Sequence, residues 1–324
     1  MCLYRSHNAM CIYLINQIIT QIITLQMTRI CLVIFAFLSI GMHQAEAQTS
    51  DLARIEYTYF PQSDSDNSFR RFRALINAPI KVKEGSYLVI GAEYRNVNLV
   101  YEDLTPFPTR DLERFQSYDL SLGYTFKMKN DWRFGVKTGT IIASNFTDGI
   151  KSDDLLFSGA VYFIKDKDME DQPGTSKNWR LILGLRYSTT AGRPFPLPVI
   201  NYNVRASEKW SYTLGVPKTN LKHYFSEKSI VQSFVTLDGF FANIQDNIDV
   251  DGNPTTKPAD NISMTVVLAG LGYEYYLTDH LLLYAYAGYT LLNDIRMRNE
   301  DTDDVYTVND SNTFYSRGGI KFKL

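Results

Sequence analysis

Cysteine is scarce in this chain of 324 residues, and its three cysteines, Cys2, Cys11 and Cys31, all lie near the start. The rest of the chain can form neither a disulfide nor a cysteine-ligated metal site, and it offers no thiol nucleophile. A secreted protein of this kind must draw its stability from a large core or from a membrane.

Long apolar runs are also missing, since a membrane-spanning helix needs about 20 apolar residues. The leading segment instead has a basic start at 27–29, an apolar run of twelve at 30–41, and small residues at Ala45 and Ala47. This order predicts a secretory signal peptide that starts at Met27 and is cleaved after Ala47, with 1–26 as an upstream extension. The alternative is a single-span anchor that includes 12–25, although polar side chains interrupt that stretch.

Neither sign of charge dominates, because 33 Lys and Arg stand against 35 Asp and Glu. Removal of residues 1–47 takes away Arg5, Arg29 and Glu46 and leaves 31 basic against 34 acidic side chains. Nucleic-acid-binding proteins and polybasic membrane-surface proteins carry a clear basic surplus. Both classes are therefore excluded, and no nucleic-acid partner is expected.

Aromatic residues are abundant, with 22 Tyr and 19 Phe, and they favour strands over helices. Apolar and polar residues alternate with a period of two over 118–128, 132–137, 179–188 and 314–324, which is the period of a β-strand. Residues 48–324 are therefore predicted to be one all-β domain of about 14 strands. The candidate strands are 52–60, 69–82, 86–101, 114–128, 131–144, 155–165, 178–190, 197–206, 209–216, 219–226, 229–245, 261–277, 280–297 and 312–324.

Strand length and the connections distinguish a membrane barrel from a soluble sandwich. Many candidate strands exceed the 9–11 or so residues that a tilted membrane strand needs, whereas soluble strands average about 5–6. Short turns alternate with longer polar loops, such as 246–260 and 298–312, as in outer-membrane barrels, whose short turns face the periplasm. The long connection 166–178 is an exception on the short side. Twelve strands is the alternative, because 209–216 and 219–226 are short and meet at Pro217.

The three tryptophans, Trp132, Trp179 and Trp210, each begin a candidate strand on the short-turn side. An indole at a membrane interface buries its ring in lipid and keeps its N–H among the headgroups. We therefore predict that these are interfacial aromatics, with Tyr101 and Phe115 among the aromatics near the opposite interface. The prediction as a whole is an antiparallel transmembrane β-barrel in the bacterial outer membrane.

The polar strand faces carry charged residues, which are expected inside the barrel because a charge that faces lipid costs roughly 2–4 kcal/mol. Basic residues outnumber carboxylates on these faces, so one interpretation is a lumen that favours anions. The other is that the charges pair across the barrel and plug it. The candidate lumen-lining residues are Arg71, Arg73, Glu93, Asp119, Arg133, Lys137, Arg180, Arg186, Glu274 and Arg317.

Catalytic and metal-binding patterns are weak. His223 lies near Ser226, but a spacing of three places them on opposite faces of a strand, whereas a Ser/His hydrolase needs the two side chains in contact. A calcium-like pattern begins at Asn247 and continues through Asp249, yet its twelfth position, which should be a carboxylate, is Pro258. We therefore expect no enzyme activity, no cofactor and no metal.

Three segments carry a resemblance to a known family: 55–61 (IEYTYFP), 214–217 (LGVP) and 318–324 (GGIKFKL). With these the chain resembles an uncharacterised family of bacterial outer-membrane β-barrel proteins of unknown function. The resemblance implies location and architecture but no substrate and no functional residues. The final strand is similar to the signal that barrel-assembly machinery reads, although it ends in Leu324 rather than an aromatic residue. Outer-membrane lipids and that machinery are the expected partners.

Three functional hypotheses follow. The first is a non-enzymatic channel or transporter for small solutes. The second is a closed structural barrel that displays its loops to a partner, and the third is an outer-membrane lipid hydrolase that uses His223. The sequence leaves the substrate and the oligomeric state open.

Overall fold

The structure is a computed structural model that describes residues 51–63, 65–167, 178–250 and 257–323. Fifteen strands and two single 3-10 turns, Ser152–Asp154 and Thr189–Ala191, occupy most of these residues. The strands are β1 (Asp51–Pro61), β2 (Ser68–Lys83), β3 (Ser86–Val100), β4 (Arg114–Lys127), β5 (Trp132–Ser144), β6 (Leu155–Lys167), β7 (Trp179–Ser188), β8 (Phe195–Arg205), β9 (Trp210–Val216), β10 (Lys218–Tyr224), β11 (Ser229–Ile248), β12 (Ala259–Tyr276), β13 (Leu281–Arg298), β14 (Asp304–Asn309) and β15 (Phe314–Lys323).

Fourteen of these strands form a closed antiparallel barrel. Each strand from β1 to β13 pairs with the next along the chain, β13 pairs with β15, and β15 pairs with β1. At the closing seam Ile55 lies opposite Ile320 and Tyr57 lies opposite Gly318. Closure leaves no unpaired edge in the ring. The prediction of a 14-stranded antiparallel barrel is thus confirmed, and the alternative of twelve strands is wrong, because β9 and β10 both belong to the ring.

The extra strand β14 lies outside the ring and pairs only with the end of β13, where Arg296 lies opposite Thr307 and Met297 opposite Tyr306. This corrects the prediction of a loop over 298–312. The segment 305–308 (VYTV) consists of residues that favour strands, and it covers backbone groups of β13 that β15 does not reach.

The two ends of the barrel differ. We call the end that holds the short connections at 84–85, 128–131, 206–209, 225–228 and 277–280 the turn end. The first residue of β1 and the last residues of β15 also lie there. We call the opposite end the loop end. The β6–β7 connection belongs to the turn end, and the predicted long loop at 166–178 falls largely outside the described residues.

The outward face of the ring is apolar. Leu120 of β4 and Leu271 of β12 are examples, with exposed fractions of 67% and 66%. Trp132, Trp179 and Trp210 are the first residues of β5, β7 and β9, so all three lie at the turn end. Within the described residues no helix has the length and apolarity to cross a membrane.

The loop end is filled by an apolar cluster inside the barrel. Inward residues such as Phe60, Phe69 and Phe115 have exposed fractions of 3%, 1% and 0% and pack together with residues of β11 and β12 such as Phe240 and Met264. The ring centroids of Phe115 and Phe240 lie 6.2 Å apart in an edge-to-face arrangement. Burial of each such side chain contributes about 1.5–3 kcal/mol. The expectation that Tyr101 and Phe115 would lie at the lipid interface is wrong, because both side chains belong to this cluster or pack on it.

The apolar cluster exists because one hairpin crosses the barrel. Strand β11 pairs with β10 only as far as Thr236. Beyond that point β11 reaches the far side of the ring, where Asn243 pairs with Ser144 at the end of β5. Residues 242–245 and 261–264 are buried on both strand faces, whereas a wall strand buries only its inward face. We call residues 239–250 and 257–266 the cross-barrel hairpin.

The turn at 189–192 packs against the cross-barrel hairpin. Thr265 Oγ1 donates a hydrogen bond of 2.9 Å to the carbonyl of Ala191. A Cβ atom added at Gly239 would lie 2.5 Å from both the backbone N of Gly192 and the carbonyl oxygen of Thr190. Only glycine allows so close a backbone approach.

Candidate functional site: the charged lumen

The middle of the lumen holds an ion-pair network that crosses the barrel. Arg71 of β2 donates two hydrogen bonds, of 3.1 and 2.6 Å, to the carboxylate of Asp238 on β11. Arg317 of β15 donates a third, of 2.6 Å, to the same carboxylate. Because β11 lies several strands away from β2 and β15, these contacts join opposite parts of the wall.

Glu56 of β1 extends this network towards the turn end. Its exposed fraction is 2%, and Tyr284 of β13 donates a hydrogen bond of 2.6 Å to its carboxylate. Arg317 Nε lies 3.7 Å from the other carboxylate oxygen and donates to Thr58 Oγ1 at 3.1 Å. A buried carboxylate that has both a cation and a hydroxyl donor is well compensated for the loss of water.

A second network surrounds Glu274 of β12. Its carboxylate accepts hydrogen bonds from Lys222 at 2.7 Å, from Gln232 at 2.8 Å and from Tyr286 at 2.5 Å. Lys321 Nζ lies 4.0 Å from the same carboxylate. Two ammonium groups thus share one carboxylate, which leaves this part of the lumen with a positive surplus.

A third network joins β2 and β3. Arg73 donates two hydrogen bonds, of 2.9 and 2.8 Å, to the carboxylate of Glu93, and Arg95 binds the same carboxylate. Two guanidinium groups again share a single acid. This arrangement repeats the basic surplus seen around Glu274.

The wall formed by β4 to β7 is different. Asp119, Lys137 and Arg186 are half-buried and face inward. Within the described ranges none of the three has a side-chain hydrogen bond or an ion pair shorter than 4.0 Å, and they act on one another only through longer-range electrostatics. The charges of this wall therefore remain available to solvent or solute.

Two of the predicted lumen residues lie at the rim of the turn end. Arg133 donates a hydrogen bond of 3.1 Å to the carbonyl of Gly85, and its guanidinium lies 5.9 Å from the ring centroid of Tyr87. Arg180 pairs with Asp166. The other eight predicted residues lie deeper, and all of them belong to the three networks or to the β4–β7 wall described above.

Four further lumen residues were not predicted from the sequence: Asp238, Lys218, Lys222 and Gln232. The period of two in β11 places Gln232 and Asp238 on the same face as Ile230 and Phe234. That face is mostly apolar, so Asp238 did not stand out as a lumen residue. The one available signal was the alternation of side chains along β11, which places Asp238 on the same inward face as Gln232.

A buried polar cluster at the loop end attaches the cross-barrel hairpin to the β5–β6 connection. Asp154, which is fully buried, accepts hydrogen bonds from Asn243 at 2.8 Å and from Gln245 at 2.7 Å. Nearby, an exposed hydrogen bond of 2.7 Å joins Lys151 to Asp246. This bond raises the pKa of Lys151 and lowers the pKa of Asp246.

The geometry around His223 differs from that of a hydrolase. Its ring lies on the outward face, 4.4 Å from the ring centroids of Trp210 and Phe225. The Ser226 hydroxyl instead accepts backbone N–H groups from Lys228 and Ser229. In the described segments no group of three or more His, Cys, Asp or Glu side chains is arranged to hold a metal ion. Asp251 of the calcium-like pattern lies outside the described residues.

A groove of about 770 Å³ opens mainly on the outer surface of the barrel. Outward residues of β1, β12 and β13 line it, among them Tyr57, Leu271 and Tyr273, with the small residues Ala285 and Ala287 between them. The groove results from these small side chains and is separate from the open wall of β4 to β7.

No curated protein matches this chain. Among solved structures, the NanC porin is 10% identical, with 84% of this chain and 100% of that chain covered and a TM-score of 0.35. A bacterial polysaccharide outer membrane secretin is 11% identical, with coverages of 84% and 97% and a TM-score of 0.39. LpxR from Salmonella typhimurium is 9% identical, with coverages of 84% and 100% and a TM-score of 0.34.

The family comparison covers most of the chain. Residues 43–323 match the family described as Domain of unknown function (DUF6268). The match includes all fifteen strands and both ends of the closing seam. The resemblance to an uncharacterised barrel family is therefore confirmed, and the chain belongs to the DUF6268 family.

Proposed function

We propose that the protein is an integral outer-membrane β-barrel that conducts small solutes, and that the cross-barrel hairpin is its gate. The observation that carries this proposal is the contrast within the lumen. The wall of β4 to β7 keeps half-buried charged side chains, whereas the loop end is closed by one hairpin and the apolar side chains that pack on it. A barrel with an apolar outer face and a charged interior suits a membrane. The turn end then faces the periplasm.

The gate is supported by the way the cross-barrel hairpin is attached. Beyond Thr236 the β11 half of the hairpin has no β10 partner and contacts β5 at Ser144, the turn at 189–192 and the polar cluster around Asp154. The β12 half pairs with β13 over 261–266. A strand with few partners opens at a lower free energy than a ring strand with two neighbours, so the β11 half is the weaker side of the hairpin. Movement of the hairpin would break the β12–β13 pairing only over this end segment and would connect the charged lumen to the loop end.

A disulfide lock tests the gate. In the Asn243→Cys/Ser144→Cys variant the two cysteines replace residues that pair between β11 and β5. We expect the reduced barrel to open in planar bilayers and the oxidised barrel to stay closed until a reductant is added. Residues 48–324 contain no native cysteine.

The matched control is Thr138→Cys/Gly159→Cys, which joins outward positions of β5 and β6 that are already paired in the wall. Oxidation of this control should leave the conductance unchanged. If the wild-type protein and both reduced variants show no openings and no solute flux in liposomes, the channel proposal is overturned.

A permanently closed barrel that displays its loops is the second candidate. The apolar cluster at the loop end favours it, because buried aromatic side chains such as Phe69 and Phe115 stabilise the closed form. The conductance experiment separates the two candidates, since a display barrel remains closed in the reduced variant as well.

A further inference from the structure

Lys137 and Arg186 differ from the basic side chains that form the three networks. Arg71, Arg73 and Lys222 each bind a carboxylate at less than 3 Å. In the part of the chain that the structure describes, the side chains of Lys137 and Arg186 form no hydrogen bond and no ion pair within 4.0 Å. Both are nevertheless half-buried. Cations held away from bulk water and without a bonded partner favour an anion between them.

The register of the strands places the two cations on either side of a small residue. Lys137 of β5 lies opposite Ala160 of β6, and Ala160 lies opposite Arg186 of β7. Because neighbouring strands are about 4.8 Å apart, the Cα atoms of Lys137 and Arg186 are about 10 Å apart. Gly123 lies opposite Lys137 on the other side. A methyl group and a glycine leave a gap that a small solute fits.

The adjacent row towards the loop end supplies hydroxyl groups. It contains Ser121, Gly139 and Ser158, which are paired in that order across β4, β5 and β6. A Cβ atom added at Gly139 would lie 2.8 Å from Ser158 Oγ, so the Ser158 hydroxyl lies over this glycine, whereas the Ser121 hydroxyl points away from it and donates to the carbonyl of Gly91 at 3.4 Å. The Ser158 hydroxyl can donate to, and accept from, a solute held by the two cations.

Asp119 reduces the positive charge of the site without cancelling it. It faces the same space from β4, beyond ion-pair distance of either cation. Glu93 lies opposite Asp119, and its partners Arg73 and Arg95 bring this part of the lumen to four basic against two acidic side chains. An anion lowers this surplus, whereas an uncharged solute leaves it unchanged.

We infer that Lys137 and Arg186 form a binding site for a small hydroxylated carboxylate, with Ser158 contacting its hydroxyl group. A guanidinium matches a carboxylate with two parallel hydrogen bonds, and the ammonium binds it as a point charge. The inference rests on the proposed channel function for the route by which such a solute arrives. The binding itself requires no conductance.

Saturation-transfer NMR of lactate with the purified processed barrel in detergent tests the site, with glycerol as the uncharged comparison. We expect lactate but not glycerol to bind saturably. Lys137→Gln and Arg186→Gln should each weaken lactate binding about ten-fold or more, because a charge-assisted hydrogen bond contributes about 1.5–3 kcal/mol. Lys81→Gln is the control, since Lys81 is an exposed basic residue on the inward face at the turn end.

Asp119→Asn provides a test in the opposite direction. Loss of the competing carboxylate should tighten lactate binding several-fold, which a variant that merely disturbs the fold would not do. Absent binding, equal binding in the Lys137 and Arg186 variants, or equal binding of glycerol would overturn the inference. Lactate binding without conductance would leave the site in place and remove only the channel.

Discussion

Asp238 links the two halves of the lumen through its two guanidinium partners. In the described residues Arg71 has no other carboxylate within 4.0 Å, and its side chain is almost fully buried. Removal of one member of a buried pair leaves an uncompensated charge, which costs more than the pair itself contributes. The stability of the barrel should therefore depend strongly on this one acid.

We predict that Asp238→Asn lowers the free energy of unfolding by about 3–5 kcal/mol, as measured by urea titration in phospholipid vesicles. Asp301→Asn is the control, because Asp301 pairs with Lys257 where both side chains are 55% exposed. Exposed pairs contribute little, so this change should not be measurable. Equal effects of the two substitutions would show that the network across the lumen does not stabilise the barrel.

The cross-barrel hairpin is the element whose behaviour decides between an open and a closed protein. Its sequence holds a partial signal, because Phe240, Phe241 and Ala242 interrupt the alternation of β11 with three apolar residues in a row. Such a run is typical of a strand buried on both faces. The run does not show that β11 leaves the barrel wall. That departure depends on the shortness of β10, which pairs with β11 only as far as Thr236.

We predict that Gly239→Ala lifts the hairpin from the turn at 189–192, because the added Cβ would lie 2.5 Å from backbone atoms there. A cysteine placed at Asn243, which is 7% exposed in the native barrel, reports the change through its rate of maleimide labelling. The rate should rise in the Gly239→Ala background.

Gly159→Ala is the matched control for this experiment. A Cβ atom there has its nearest neighbour, the carbonyl oxygen of Lys137, at an ordinary 3.7 Å. Labelling at position 243 should stay slow in this control. An unchanged rate in both backgrounds would contradict the close packing of the hairpin on the turn.

For the molecule as a whole, the ring depends on the pairing of β15 with both β13 and β1. Without β15 those two strands would expose unpaired backbone groups to lipid, at a cost of several kcal/mol for each group. We predict that deletion of residues 314–324 abolishes the heat-dependent mobility shift of the folded barrel on SDS gels.

Strand β14 provides the control for that deletion. Replacement of β14 by a Gly/Ser linker of equal length removes a strand that pairs only with β13, outside the ring. The mobility shift should persist in this variant. Loss of the shift in both variants, or in neither, would contradict the assignment of β15 to the ring and β14 outside it.

The sequence is sufficient to predict the strands of the ring but not which side chains fill the loop end of its lumen. Alternation with a period of two and the short turns locate all fourteen ring strands to within a few residues, and alternation also places Lys137 and Arg186 inside. Phe60, Phe69 and Phe115 lie on the same inward faces, yet nothing local indicates that this end of the lumen is apolar. Their partners lie on β11 and β12, far away in the sequence, and meet them only because the hairpin crosses the ring.

The unequal heights of the wall have a consequence for the surrounding bilayer. Strands β9 and β10 have seven residues each, whereas β2 has sixteen. Seven residues extend about 23 Å along a strand, and a tilt of about 45° reduces this to roughly 16 Å of height, against an apolar band about 25 Å tall in typical barrels. Acyl chains beside β9 and β10 must therefore be compressed, or the barrel must lean, so this flank should collect shorter or more disordered lipids than the rest of the perimeter.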